Sequence, residues 1–164
     1  MISLEKINNL NKSDFLTIFG NVFEKSEWIS EKVFDLRPFK NFEDLFSKII
    51  GIYENSDKII ILKILNSHPE LAVEKKLTIN SKNEQKNANL NECTNDEYKE
   101  FKKLNIEYKK KFDFPFIIAV KGKNKNEILN YFRERIKNSP DEEFLEAKKQ
   151  VKKIVTFRLE EIIK

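Results

Sequence analysis

The 164-residue chain carries 31 Lys and Arg against 27 Asp and Glu, a net charge of +4, with 40% hydrophobic residues and only 3 Gly and 4 Pro. One domain over residues 1–164 with a real core is expected at that length, and the scarcity of Gly and Pro argues against a turn-rich all-β fold. The longest apolar run, "IIILKIL", is too short to span a bilayer, and the lone Cys93 gives no disulfide framework.

In chain order, "MISLEKINNLNK" lacks the basic-then-apolar pattern of a signal peptide. A cytoplasmic protein is expected, with no membrane partner. Short polar side chains then precede a series of helical patterns. Ser13 stands before "DFLTIFGNVF", Ser26 before "EWISEKVFDL", Asn41 before "FEDLFSKIIGIY" and Ser56 before "DKIIILKIL". Each can accept from the free N–H groups of a first turn. Capping boxes are expected at Thr94 with Glu97, Asn124 with Glu127, and Ser139 with Glu142. A last helix is expected from about Pro140 to the end, with Ala147, Val151, Ile154, Val155 and Ile162 as its apolar stripe. "FDFPFIIAV" resists the helical reading, because Pro115 pushes Phe114 toward extended backbone. An extended buried segment over 114–120 is predicted, then a turn at Gly122. The fold class is therefore all-α, a multi-helix bundle with one short extended segment. That segment would leave N–H and C=O groups without a ladder partner.

Few chemistries fit the residues present. One His and one Cys are too few for a nitrogen- and sulfur-ligated zinc site, and the three glycines form no phosphate-binding loop. The basic clusters "EYKKKFDF" and "VKGKNKNE" are short and interspersed with acids, so a solvated surface or a small anionic substrate explains the charge better than nucleic acid. Cys93 lies in the polar stretch "NECTNDE", expected to be exposed, without an activating environment for a thiol nucleophile.

Three features remain. His68 closes the apolar run in "KIIILKILNSHPELA", either as a helix-end residue favoured by the dipole or as an acid–base group working near neutral pH. In "NSKNEQKNANL", a helix would place Ser81, Glu84, Gln85 and Ala88 on one face; the alternative is a capping box of Ser81 with Glu84. Arg158 falls on the apolar stripe of the last helix, as a buried ion pair, a snorkelling side chain or a fork for an anionic or ureido ligand.

"HPEL", "SKNEQ", "LNIEYKKKFDFPFIIAVKGKNKNEIL" and "EAKKQVKKIVTFRL" occur in that order and at spacings that resemble the 2-oxo-4-hydroxy-4-carboxy-5-ureidoimidazoline (OHCU) decarboxylases of urate breakdown. The resemblance covers nearly the whole chain and is densest from His68 to Leu159. It implies an all-helical, often homodimeric enzyme that uses neither metal nor organic cofactor and converts OHCU to (S)-allantoin. By the same resemblance His68 is the catalytic proton donor and Glu84 its carboxylate partner. Pro69, Ser81, Gln85, the backbone of Phe116, Ile117, Ile118, Ala119 and Val120, and Arg158 would bind substrate. The chain departs from the family pattern at Ala72, Asn89 and Asp113, where glycine is usual, and at Glu70, where Asp is usual. Asp is among the residues that tolerate positive φ. Two other readings stay open on sequence alone. A non-catalytic helical module beside urate-pathway enzymes need not keep His68, Glu84 and Arg158. A basic nucleic-acid binder would show salt-dependent retention on heparin.

Overall fold

The computed structural model describes residues 2–73 and 77–163. Among them are nine α-helices and no strand: α1 Leu4–Asn9, α2 Lys12–Phe19, α3 Trp28–Phe34, α4 Phe42–Glu54, α5 Lys58–Ser67, α6 Ile79–Asn87, α7 Asn95–Phe112, α8 Lys125–Arg135 and α9 Pro140–Ile163. The predicted all-α class holds. No helix is long and apolar enough to cross a membrane among the described residues. The chain forms two compact units, one made of the residues up to 67 and from 152 on, the other of residues 68–151.

In the first unit, α1–α5 and the end of α9 supply the core. Phe15 is completely buried and meets Phe19 at 4.7 Å and the edge of Phe34 at 5.5 Å, while Phe23 meets Tyr53 at 5.1 Å. Burying one such ring is worth roughly 1.5–3 kcal/mol. From α9 come Ile154, Val155 and Leu159, all buried, whereas Ile162 is half-buried. Asn41 caps α4 as expected, its side chain accepting from Asp44 N at 2.7 Å. Three caps differ from expectation. Asn11, not Ser13, caps α2, so Ser13 lies inside the helix. Ser26 turns its hydroxyl to Glu24 O at 3.0 Å, and α3 starts at Trp28 without a side-chain cap. The Ser26 side chain found a nearer backbone partner than the predicted one, whereas at α2 the competing Asn11 takes the cap. Before α5 the cap is Asp57, whose Oδ1 accepts from Ile60 N at 2.9 Å, while Ser56 donates back to Ile52 O at 2.7 Å.

The second unit is centred on Tyr108 of α7. Its ring is fully buried and lies 4.5 Å from Phe112, 5.4 Å from Phe116, 5.6 Å from Phe132 and 5.9 Å from Phe114. The α7 face that packs inward is Phe101, Leu104, Asn105, Tyr108 and Phe112, at helical spacing. The capping boxes at Thr94 and Asn124 form as predicted. At α9, Ser139 N donates to Glu142 at 2.9 Å and Glu142 N to Ser139 Oγ at 3.4 Å. Between α7 and α8, Pro115–Val120 runs without turn or bend and is buried throughout, and a turn at Gly122 (φ +75°) follows. All three positions where the family pattern has glycine take positive φ: Ala72 +51°, Asn89 +58° and Asp113 +62°.

Candidate functional site

The second unit begins at His68, immediately after α5 ends at Ser67. The side chain of His68 is buried, and Pro69 directs the chain into a tight loop through Ala72. Two buried amides grip that loop. Gln85 Oε1 accepts from Ala72 N at 3.1 Å, and Gln85 Nε2 donates to Glu70 O at 3.2 Å. Asn105 Nδ2 donates to Leu71 O at 3.0 Å. Three successive residues after the His-Pro pair are thus fixed through their backbone, which explains how Ala72 is held at positive φ despite its Cβ.

Gln85 reaches the loop because α6 turns one face inward. Ser81, Gln85 and Ala88 are buried and Glu84 is half-buried, while Lys82, Asn83, Lys86 and Asn87 are exposed. The one-face alternative is the one observed. The capping-box alternative is not, because α6 starts earlier. Thr78 is its N-cap and accepts from Ser81 N at 3.3 Å, so Ser81 sits inside the first turn.

The predicted substrate segment Phe116–Val120 lies in the same unit as His68, Pro69, Ser81, Glu84 and Gln85. Several of its backbone groups are already bonded to side chains. Arg135 Nη1 donates to Ile117 O at 2.6 Å, Gln150 Oε1 accepts from Ala119 N at 2.9 Å, and Lys123 Nζ donates to Ala119 O at 3.1 Å. Behind Arg135 lies a buried network. Glu143 Oε1 accepts from Arg135 Nε at 2.9 Å, from Arg135 Nη2 at 2.5 Å and from the Tyr108 hydroxyl, and Glu143 Oε2 accepts from Asn138 Nδ2 at 2.8 Å. Burial and the adjoining Glu143 carboxylate push the Tyr108 hydroxyl far above the ordinary tyrosine range, so it serves as a fixed donor.

Arg158 belongs to the first unit. Its guanidinium is buried and donates to Asn21 O at 3.2 Å, Val22 O at 3.3 Å and Glu24 Oε2 at 3.2 Å. A buried ion pair is therefore present, as one of the sequence readings held.

Cys93 is half-buried rather than exposed, because the 3-10 turn Leu90–Glu92 brings its Sγ to Leu90 O at 3.4 Å. Burial pushes the thiol up from its ordinary value, which disfavours the thiolate a nucleophile needs. Among the described residues no group of three or more His, Cys, Asp or Glu side chains is placed to hold a metal ion. A cavity of about 590 Å³ opens on the α7 side of the loop, between Glu70, Ala72 and Val73 and the side chains of Tyr98, Lys102, Asn105 and Ile106.

Arg135, Glu143, Gln150, Tyr108 and Asn105 were not singled out by sequence. The signal existed for three of them. Arg135 follows Ile128 by seven residues and Phe132 by three, and Glu143 and Gln150 flank Ala147 by four and three. A polar residue on an apolar stripe is the same sign that marked Arg158.

A profile of the OHCU decarboxylase family matches residues 8–160, a stretch that runs through both compact units. The "uric acid degradation bifunctional protein" of Bacillus sp. (strain TB-90) is 41% identical over the whole of this chain, which spans only 33% of that protein. The Bacillus subtilis protein of the same kind, PucL, is likewise spanned over only 33% of its length. The 2-oxo-4-hydroxy-4-carboxy-5-ureidoimidazoline decarboxylase of Haloferax volcanii is 32% identical over 98% of this chain and 95% of its own length. That of Amia calva is 34% identical over 99% of this chain and 95% of its own. In fold, the chain is similar to the crystal structure of an (S)-allantoin synthase, with a TM-score of 0.79 over 98% of this chain and 54% of that one, at 24% identity. It is also similar to an OHCU decarboxylase crystallised in the presence of (S)-allantoin, with a TM-score of 0.70 over 91% of this chain and 96% of that one, at 22% identity.

Proposed function

The chain belongs to the OHCU decarboxylase family, and we propose that it is itself a carboxy-lyase that decarboxylates OHCU to (S)-allantoin in urate breakdown. The observation that carries the proposal is the clamp on the loop after His68. Gln85, from the same α6 face as Ser81 and Glu84, bonds the backbone of both Glu70 and Ala72. A proton donor whose neighbouring backbone is fixed by buried amides is pre-organised, as stereospecific protonation requires.

The chemistry asked of the protein is modest. When the C–CO₂ bond breaks, its electron pair must go to an acceptor. The conjugated carbonyl and C=N bond of the substrate's own imidazolone ring supply one. The protein must hold the ring so that the departing carboxylate stands out of its plane, stabilise charge moving onto the ring, and deliver a proton to one face of the carbon. His68 is assigned the proton, and Glu84 its orientation, since a carboxylate favours imidazolium. Backbone groups of Phe116–Val120 are assigned the ring and ureido edges, together with Pro69, Ser81 and Gln85. The bonds of Gln85 to Ala72 N and Glu70 O use one of its two acceptor sites and one of its two donor hydrogens, which leaves capacity for a ligand. Arg158, which matches the arginine of the family's C-terminal motif, is assigned the substrate's anionic or ureido group. The substrate brings the charge and the electron sink, so no cofactor is assigned.

Residues 1–164 are read as one OHCU decarboxylase-like domain, working in the cytoplasm as a homodimer. Sedimentation equilibrium on the purified chain tests the dimer. The catalytic assignment is tested with His68→Asn and Glu84→Ala. Each is expected to lower kcat by at least about a hundredfold in an OHCU decay assay, the scale of general acid–base catalysis. Full activity in His68→Asn would remove the assignment.

A further inference from the structure

A straight run of backbone presents its groups alternately to two edges. In Pro115–Val120, residues 117 and 119 share one edge and residues 116, 118 and 120 the other. With no strand among the described residues, three side chains cover the first edge apart from the Ile117 N–H: Arg135 on Ile117 O, Gln150 on Ala119 N and Lys123 on Ala119 O. The second edge is different. Val120 O accepts the turn N–H of Lys123 at 2.9 Å, but the N–H groups of Ile118 and Val120 and the carbonyl of Ile118 bond to no other described residue.

The covering side chains are themselves locked. Arg135 is fixed by Glu143 and lies with its guanidinium carbon 4.5 Å from the Phe116 ring, which stacks on Phe132 at 3.9 Å. Gln150 Nε2 donates to Glu146 Oε1 at 2.7 Å, which points its Oε1 at Ala119. A slip of the segment by one residue would exchange the two edges.

We propose that Gln150 and Arg135 are positioning residues that occupy the 117/119 edge in place of a strand and so present the 118/120 edge to the ligand. The order N–H, C=O, N–H along that edge complements the alternating amide groups of a ureido compound, as one strand edge complements another. The inference rests on the reading that this segment contacts the substrate, and it extends that reading to which backbone groups do so and what holds them there.

Amide hydrogen exchange followed by NMR on the intact chain tests it, with (S)-allantoin as the probe. In the free protein, Ala119 N–H exchanges slowly. Gln150→Met, which keeps the volume and removes the acceptor, speeds it at least about tenfold. Unchanged Ala119 exchange in Gln150→Met overturns the edge assignment, and this arm stands whether or not allantoin binds. On adding (S)-allantoin, the Ile118 and Val120 amides gain protection, the Ala119 amide does not, and Gln150→Met weakens binding about tenfold. Protection gained at Ala119 but not at Ile118 and Val120 overturns the proposal, and this wild-type arm does not depend on the variant folding. An absence of any allantoin response along the segment, with the free-protein pattern intact, removes the decarboxylase reading and leaves the edge assignment supported.

Discussion

Arg135 and Arg158 each bring a guanidinium into the interior against a glutamate, and they hold it in different ways. Arg135 is bonded at 2.5–2.9 Å to one carboxylate oxygen of Glu143 and at 2.6 Å to Ile117 O. That carboxylate also receives the Tyr108 hydroxyl and Asn138. Among the bonds of Arg158, those to Asn21 O, Val22 O and Glu24 are 3.2–3.3 Å long. Charge-assisted bonds of full strength run nearer 2.7–2.9 Å. The short set belongs to a side chain committed to holding backbone. These contacts of Arg158 are the longer, and it is Arg158 that the proposal assigns to the substrate. Burial of a charge pair does not by itself separate scaffold from a proposed site; substitution does.

This contrast can be broken by substitution. Arg135→Met strands the Glu143 carboxylate in the core and releases Ile117 O, and it should cost about 3–5 kcal/mol of stability in urea unfolding. Arg135→Met combined with Glu143→Leu should recover much of that loss, because the stranded charge is gone. A double variant no more stable than Arg135→Met would show that the network's value lies in the backbone bond rather than in charge compensation. Arg158→Ala strands the buried Glu24 in the same way and should also cost about 3–5 kcal/mol of stability, but it should in addition raise KM for OHCU about tenfold with a smaller change in kcat. Unchanged KM and kcat would place Arg158 with Arg135 as scaffold.

A smaller effect is expected where the loop after His68 is strained. Ala72 at φ +51° keeps a Cβ in a region that costs an L-residue about 1–2 kcal/mol. Ala72→Gly should therefore stabilise the protein by roughly 0.5–1 kcal/mol, after glycine's greater freedom in the unfolded chain is subtracted. A destabilised Ala72→Gly variant would mean that the clamp of Gln85 and Asn105 needs the alanine side chain.

The smallest effect is in acid. The ammonium of Lys125, hydrogen-bonded to Glu97, and the Thr94 N–H hold the Glu97 carboxyl below its ordinary 4.5. A depressed carboxylate contributes stability that is present above its unfolded value and is lost as pH falls through its folded value. Glu97→Gln should flatten the decline of the urea midpoint below about pH 4.5. An unchanged acid limb would show that the capping box on α7 carries no pH-dependent stability.

Much of this was legible before any coordinates. The apolar periodicity gave the all-α class, and reciprocal Ser/Thr/Asn–Glu spacing gave three helix starts. Pro115 gave the one non-helical core segment. Caps failed where a competing polar residue lay within a few positions, as Asn11 does for Ser13 and Thr78 for Ser81. A single window cannot rank such neighbours, because each can reach the same free N–H groups. The positive φ at Ala72, Asn89 and Asp113 was readable only beside the family pattern, since alanine by itself carries no such signal. Gln85 was found as a site residue, but its grip on residues 70 and 72 was not. That bond joins segments 13 and 15 residues apart, and it depends on a loop path that periodicity does not describe. Arg135 escaped notice because "NYFRERIKNS" looks like a solvated helix end, and only its register with Ile128 and Phe132 marks it as internal.

The central claim is that this chain protonates a decarboxylated ureidoimidazoline on one face. OHCU generated from urate with urate oxidase and a hydroxyisourate hydrolase, with the purified chain added, tests it directly. The absorbance decay and the handedness of the allantoin formed are read together. Decay faster than the spontaneous rate, giving the (S) enantiomer alone, is the predicted result. Decay at the spontaneous rate with racemic product, from protein shown to be folded, would contradict it.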